Sequence, residues 1–331
     1  MSRAVATIGM FDGVHLGHRD LLRHLVDEAK SRNCISLVIT FANHPLSIIK
    51  PELAPKLISS PEEKRKLLFD CGVDTVSILD FTSKLRNLTA RDYMRKLKAD
   101  YDVDTIILGF NNRFGSDISF TFDDYVSIGA EEGVSFLREP EYLVEGENVN
   151  SSIIRSCLLD SDINKANRLL GYNFTLSGNV VYGKQLGRTI GFPTANIGIN
   201  FADKLIPGKG VYACYVTLKG GLKYPAMVNI GHRPTIDGGQ SPISIEAHII
   251  GISQKLYGER ISLSFVKYLR NERTFNSIEE LKAQYSCIGK PFNLSPKHWI
   301  GVDAETASED LLRELTRNSY EIVKAKYKVH G

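Results

Sequence analysis

Cysteine is scarce and unpatterned in this sequence. Cys34, Cys71, Cys157, Cys214 and Cys287 are odd in number and form no C-x-x-C pair. That argues against a disulfide framework and against a cysteine zinc site. The histidines have no spacing that would supply a metal site instead. No apolar run is long enough to cross a bilayer, and the N-terminus runs into a strand-like segment rather than a signal peptide. Charge of one sign is lacking too. The formal net charge is +3, which gives no reason to expect a nucleic-acid or membrane partner. There are no repeats and no low-complexity tracts. A reduced, soluble, cytoplasmic enzyme is the expectation.

What is present is a globular composition, 43% hydrophobic and 24% charged over 331 residues. That length predicts two domains with an appendage. The first half alternates strand signals (4–9, 35–40, 73–79, 104–109) with helix signals (17–32, from Ser60-Pro61-Glu62-Glu63, and from Thr89 to Tyr101). Such alternation predicts βαβ units and a parallel sheet. Two short helices at 151–159 and 162–170 form a junction. Beyond residue 172 come β-rich runs at 174–182, 211–218, 223–230, 243–251 and 260–269, which read as an antiparallel barrel or sandwich. Residues 277–285 and 304–327 read as helices, with 287–300 irregular.

The strongest local signal is Gly9-Met10-Phe11-Asp12-Gly13-Val14-His15-Leu16-Gly17-His18. It falls where the first strand hands over to a helix, whose free N–H groups and positive dipole end suit a phosphate. His15 and His18 are three residues apart with Gly17 between them. They can donate hydrogen bonds to oxygens whose charge grows as a phosphoryl group is attacked.

H-x-G-H in this setting is similar to the signature of α/β nucleotidyltransferases and class I aminoacyl-tRNA synthetases. No K-M-S-K-S-like loop accompanies it here. The wider series is Thr40-Phe41-Ala42-Asn43-His44-Pro45, Gly109 to Gly115, and Ser151-Ser152-Ile153-Ile154-Arg155. It resembles the adenylyltransferase half of prokaryotic bifunctional FAD synthetases, which moves AMP from ATP onto FMN. The resemblance implies ATP phosphates against Gly9, Phe11, Asp12, Gly13 and Gly17, with His15 and His18 catalytic. Ser151, Ser152 and Arg155 would grip the triphosphate, and His44, Asn111, Arg113 and Phe114 would meet the flavin. Taken alone, Asp12 and Gly13 could be turn chemistry and Ser151 a helix N-cap. The chain departs from the family at Met10, at Ser152, and at Asn111 and Asn112, where an acid and an aromatic are usual. The two asparagines put adenylyl transfer in doubt more than the fold.

In the second half, Gly183, Gly187 and Gly191 fall within nine residues, with Lys184 and Arg188 between them. Thr194 and Asn196 then place two hard oxygen donors on one face of an extended segment, which suits Mg²⁺. With Val228 to Thr235, Ile245-Glu246-Ala247-His248 and Leu269-Arg270, this series resembles a riboflavin kinase domain from Tyr172 to about Tyr285. The resemblance implies a six-stranded Greek-key barrel. It also implies Glu246 as the base on riboflavin, Thr194 and Asn196 near Mg²⁺ and ATP, Gly183, Lys184, Gly187 and Arg188 on the phosphates, and Arg270 on the flavin. Alternation with Ile245 and Ala247 puts Glu246 on the face away from the core.

The expected architecture is therefore α/β. A Rossmann-like nucleotidyltransferase domain occupies 1–160, an all-β kinase barrel 161–286, and a C-terminal helical extension 287–331. The expected substrates are ATP, riboflavin and FMN, with Mg²⁺. The two sites are expected to act independently, since each domain carries its own motif set. Two alternatives stay open: a monofunctional riboflavin kinase with an inactive nucleotidyltransferase-like domain, and a flavin sensor. The apolar residues of the tail leave packing on the barrel and a homo-oligomer contact open.

Overall fold

The computed structural model describes residues 3–110, 112–117, 119–183, 193–232, 243–252, 254–272, 288–289 and 301–302. Its first part runs β1 (Ala4–Ile8), α1 (Leu16–Ser31), β2 (Ile35–Phe41), α2 (Leu46–Ile49), α3 (Pro61–Phe69) and β3 (Thr75–Leu79). It continues with α4 (Ser83–Arg86), α5 (Ala90–Tyr101), β4 (Val103–Leu108), α6 (Phe122–Glu132) and β5 (Ser135–Arg138). The five strands form one parallel sheet in the order β3-β2-β1-β4-β5. β1 is buried on both faces, as a central parallel strand covered by helices must be. Ala4, Ala6 and Ile8 face one core with Tyr93, Met94 and Leu97 of α5. Val5 faces the other with Leu21, Leu22 and Leu25 of α1.

Local chemistry sets the helix starts. The box expected at residue 60 is present: Ser60 Oγ accepts from Glu63 N at 3.2 Å, and Glu63 Oε2 accepts from Ser60 N at 2.9 Å. α6 and β5 were not expected from the sequence. β5 has four residues and two polar ends, too short to show a period.

A small hairpin, β6 (Leu143–Val144) with β7 (Glu147–Asn148), precedes α7 (Ser151–Leu159) and α8 (Ile163–Leu170). Asn150 caps α7, its Oδ1 accepting from Ile153 N at 2.9 Å, so Ser151 is the first helical residue rather than the cap. Gly171 ends α8 at φ 76°, where a Cβ would meet Leu16 Cδ2 at 2.5 Å, so a side chain there meets both strain and a clash.

The second part is β8 (Thr175–Val181), β9 (Ala195–Gly198), β10 (Gly210–Thr217), β11 (Lys223–His232), β12 (Ile243–Ile249) and β13 (Arg260–Arg270). These close into a six-stranded antiparallel barrel in the order β10-β11-β12-β9-β8-β13. It is a barrel and not a sandwich because β13 pairs with both β8 and β10, and β9 bridges β8 and β12. β9 is the strand that the five expected runs left out. Alternate residues such as Leu176, Tyr212, Val228, Ala247 and Leu263 fill the interior, and α7, α8 and Ile58 pack against the same core. Within 287–300, Ile288–Gly289 forms β14 and pairs with β15 (Gly301–Val302), so that stretch is not wholly irregular. The helices expected at 277–285 and 304–327 lie outside the described residues.

Candidate active sites

The strand order reverses direction between β1 and β4, and such a switch point opens a crevice at the carboxyl ends of the strands. His15 stands there as the N-cap of α1, its Nδ1 accepting from His18 N at 3.4 Å. The two imidazoles stack, with centroids 3.6 Å apart and 19° between the planes. The Phe11 ring lies 5.0 Å from that of His18. A Cβ on Gly17 would lie in van der Waals contact with the His15 ring, 3.4 Å from two of its atoms. Burial holds His15 down at about 4, with Asp12 opposing. Burial, then His15 and Lys64, hold His18 well below the usual histidine range. Both rings are therefore neutral at physiological pH. His18 Nδ1 is buried without a hydrogen-bond partner among the described residues.

The sequence picked out Asp12 and Gly13 for phosphate, but the structure gives them internal partners. Asp12 is buried, and its two oxygens accept from Ile58 N at 3.0 Å, Ser59 N at 3.1 Å and Arg155 Nη2 at 3.0 Å. Gly13, at φ 78°, donates to Ser59 Oγ at 3.0 Å, and Tyr172 donates to its carbonyl at 2.6 Å. Ser151 Oγ donates to the Asp12 carbonyl at 2.9 Å, while Ser152 is exposed. Arg155 also donates from Nε to the Lys56 carbonyl at 3.1 Å. Phe114, expected at the flavin, is buried between Tyr93, Tyr125 and Phe136 in the sheet core. Its ring supports the loop that carries Arg113. Asn112 donates to the Ile8 carbonyl, tying that loop to the end of β1. His44 is half-buried, and burial and then Arg155 lower its pKa. Asn111 lies outside the described residues.

Sequence reasoning missed Lys64. This fully buried lysine donates to the Met10 carbonyl at 2.8 Å, the Phe41 carbonyl at 2.7 Å and Thr40 Oγ1 at 3.3 Å. Burial pulls its pKa down to about 8, with Asp12 opposing. No motif marks it, because it reaches the site only after α3 has packed on the sheet.

In the barrel, register puts three polar side chains abreast on the outer face. Glu246 on β12 pairs with Asn196 on β9 and with Asn229 on β11. Thr194 Oγ1 donates to Glu246 Oε2 at 3.4 Å. Glu246 thus lies on the face that alternation predicted, half-buried. Asn196 is buried, and a Cβ on Gly183 would overlap its amide. Asn229 and Glu272 were not expected at the site. Asn229 Nδ2 donates to Glu272 Oε1 at 3.2 Å. Arg270, on the end of β13, donates to the Asn271 carbonyl at 3.1 Å. Lys184, Gly187 and Arg188 lie outside the described residues. No group of three or more His, Cys, Asp or Glu among the described residues could hold a metal ion. The Thr194 hydroxyl and the Asn196 amide oxygen beside the Glu246 carboxylate are hard donors of the kind Mg²⁺ takes along with its waters.

Residues 1–153 match the FAD synthetase family, and residues 170–287 match the riboflavin kinase family. A bifunctional riboflavin kinase/FMN adenylyltransferase from Escherichia coli strain K12 is 37% identical over 281 residues, covering 85% of this chain and 88% of that protein. The chain belongs to this bifunctional family. Its Bacillus subtilis member is 31% identical over 289 residues, 86% of this chain and 89% of that protein. A crystal structure described as a macrolide-efflux protein from Streptococcus pneumoniae superposes with a TM-score of 0.76 at 30% identity, covering 86% of this chain and 92% of that one. Among the described residues no helix is long and apolar enough to cross a membrane.

Neutral histidines give the adenylyltransferase domain a pH signature. The unfolded chain takes up a proton at His15 near the ordinary 6.5, while the folded chain resists until about 4. Stability is therefore lost as pH falls from 6.5 through 4, by up to about 3 kcal/mol from this group. Urea denaturation of wild type and His15→Asn at pH 7, 5.5 and 4.5 should show a smaller acid loss in the variant, since asparagine keeps the N-cap acceptor without the basic ring. An identical loss in both would mean that His15 is not the group held neutral by the fold.

Proposed function

We propose that this chain phosphorylates riboflavin to FMN and adenylylates FMN to FAD, using one ATP for each step. Residues 1–160 serve as the adenylyltransferase and 161–286 as the kinase. The observation that carries this reading is that each half gathers its own reactive set: the His15–His18 stack at the sheet's switch point, and the Thr194–Asn196–Glu246 row on the barrel.

In the kinase step the terminal ribityl hydroxyl attacks the γ-phosphorus of ATP. Its proton passes to Glu246, and ADP leaves. Thr194 and Asn196 would hold Mg²⁺, which neutralises phosphate charge when bound. Gly183, Lys184, Gly187 and Arg188 would line the phosphates, and Arg270 the flavin. In the second step a phosphate oxygen of FMN attacks the α-phosphorus of ATP and pyrophosphate leaves. His15 and His18, each neutral, donate to oxygens whose charge rises. Leaving the buried Nδ1 of His18 unpaired costs roughly 1–3 kcal/mol, a cost that a ligand partner would remove. Arg155 and Ser151, already against Asp12, would present the triphosphate, with His44, Asn111 and Arg113 on the flavin side. Both reactions use ATP, so the cytoplasm is the proposed compartment.

A chromatographic time course of riboflavin with ATP and Mg²⁺ tests this reading. FMN should rise first and FAD should follow. Arrest at FMN would sink the adenylyltransferase half, and untouched riboflavin would sink both.

A further inference from the structure

One buried network joins the two domains, and neither reaction accounts for it. Lys204 belongs to the barrel half, between β9 and β10, yet its ammonium is buried against the parallel-sheet domain. Nζ donates to the Ile58 carbonyl at 2.6 Å and to Glu63 Oε2 at 2.5 Å, and lies 4.7 Å from the centroid of the Phe174 ring. The backbone beside it is joined as well. Leu57 N donates to the Asp203 carbonyl and Leu205 N to the Leu57 carbonyl, both at 2.7 Å. A buried ammonium is tolerated only where its partners are well placed, so Lys204 constrains residues 58 and 63 together.

Those residues bracket the segment that holds the H-x-G-H turn. Ile58 N and Ser59 N grip the two oxygens of Asp12, and Ser59 Oγ accepts from Gly13 N. Glu63 closes the capping box with Ser60, and the next residue, Lys64, donates to the Met10 carbonyl. Residues 10–13 are thus held by 58, 59 and 64, and these in turn by a lysine from the other domain. Other cross-domain ion pairs among the described residues are of a different kind. Arg260–Glu62 at 2.6 Å and Lys56–Asp203 at 2.9 Å are both exposed, and such pairs contribute little.

We propose that Lys204 is a positioning residue for adenylyl transfer, contributed by the kinase half: through Ile58 and Glu63 it fixes the 57–64 segment and, through that, the turn that carries His15 and His18. This rests on the N-terminal site being the adenylyltransferase. It departs from the expectation of two independent sites, and the dependence runs one way, since Lys204 touches none of Thr194, Asn196 or Glu246 through any described hydrogen bond.

The full-length chain carries its own control, because its two reactions can be measured separately. Riboflavin phosphorylation and FMN adenylylation would be assayed in wild type, Lys204→Met, Glu63→Gln and Arg260→Ala. In Lys204→Met, kcat for FMN to FAD should fall by about 10–100-fold, the cost of a misplaced reacting group, with KM for FMN little changed and FMN formation within about twofold of wild type. Glu63→Gln should lose adenylylation selectively but less, and Arg260→Ala should change neither rate. Unchanged adenylylation in Lys204→Met overturns the proposal. If Lys204→Met loses both activities, Glu63→Gln decides: selective loss of adenylylation supports the proposal, and any other result overturns it. A wild type that makes FMN but no FAD refutes the underlying site reading, an outcome distinct from a variant that behaves like an active wild type.

Discussion

Glu246→Gln should lower the rate of FMN formation by about 10²–10⁴-fold, the usual contribution of a general base, and leave conversion of supplied FMN to FAD unchanged. The substitution keeps the size of the side chain and an oxygen that can accept from Thr194 Oγ1, but removes the group that would take the ribityl proton. Glu246 points away from the barrel interior filled by Ile245, Ala247 and Ile249, so the fold should be little disturbed. Chromatography of the two reactions, each started from its own substrate, makes the check. Near-normal FMN formation in the variant would leave Glu246 as a strand residue without a part in the chemistry.

The mirror result is expected of His18→Ala. FMN should form at the normal rate and accumulate, with FAD formation reduced by about 10²–10³-fold, as when one donor to a developing negative charge is lost. The loss should fall on kcat, because the donation strengthens only as charge builds on the reacting phosphate. Since burial keeps both histidines neutral, their titration should put no limb in the adenylylation profile between pH 6.5 and 8. An acid limb at pH 6.5 that vanishes in His18→Ala would show instead that His18 titrates as an ordinary histidine. FAD formation unaffected by the substitution would remove His18 from the site.

These two results concern residues that were legible in the sequence, and for a physical reason. From Gly9 to His18 the site is one continuous stretch, so chain geometry alone places the two imidazoles one helical turn apart on α1's first turn. The capping box at Ser60 was legible because its partners are three residues apart. Glu246 was legible as an outward polar residue between two apolar ones. β5 and β9, four residues each, escaped because short strands owe their pairing to neighbours rather than to their own pattern; α6 was missed although Thr121 and Asp124 form a capping box at its start.

The sequence by itself determined a parallel α/β half followed by a β-rich half, and placed the candidate reactive residues on loops and strand faces in each. It did so because period, capping and turn chemistry are local properties. Only the tertiary structure decided which side chains meet across long separations. It brought Lys64 beneath Met10 and Phe41, set Asn229 level with Glu246, turned Asp12 and Ser151 toward each other, and buried Phe114 in the aromatic core. It also buried Lys204, more than 140 residues from its acceptors, against Ile58 and Glu63. Such contacts follow from sheet order, barrel closure and the packing of one domain on the other. No short window of sequence encodes them, because the burial that makes a polar partner obligatory exists only once the chain has folded.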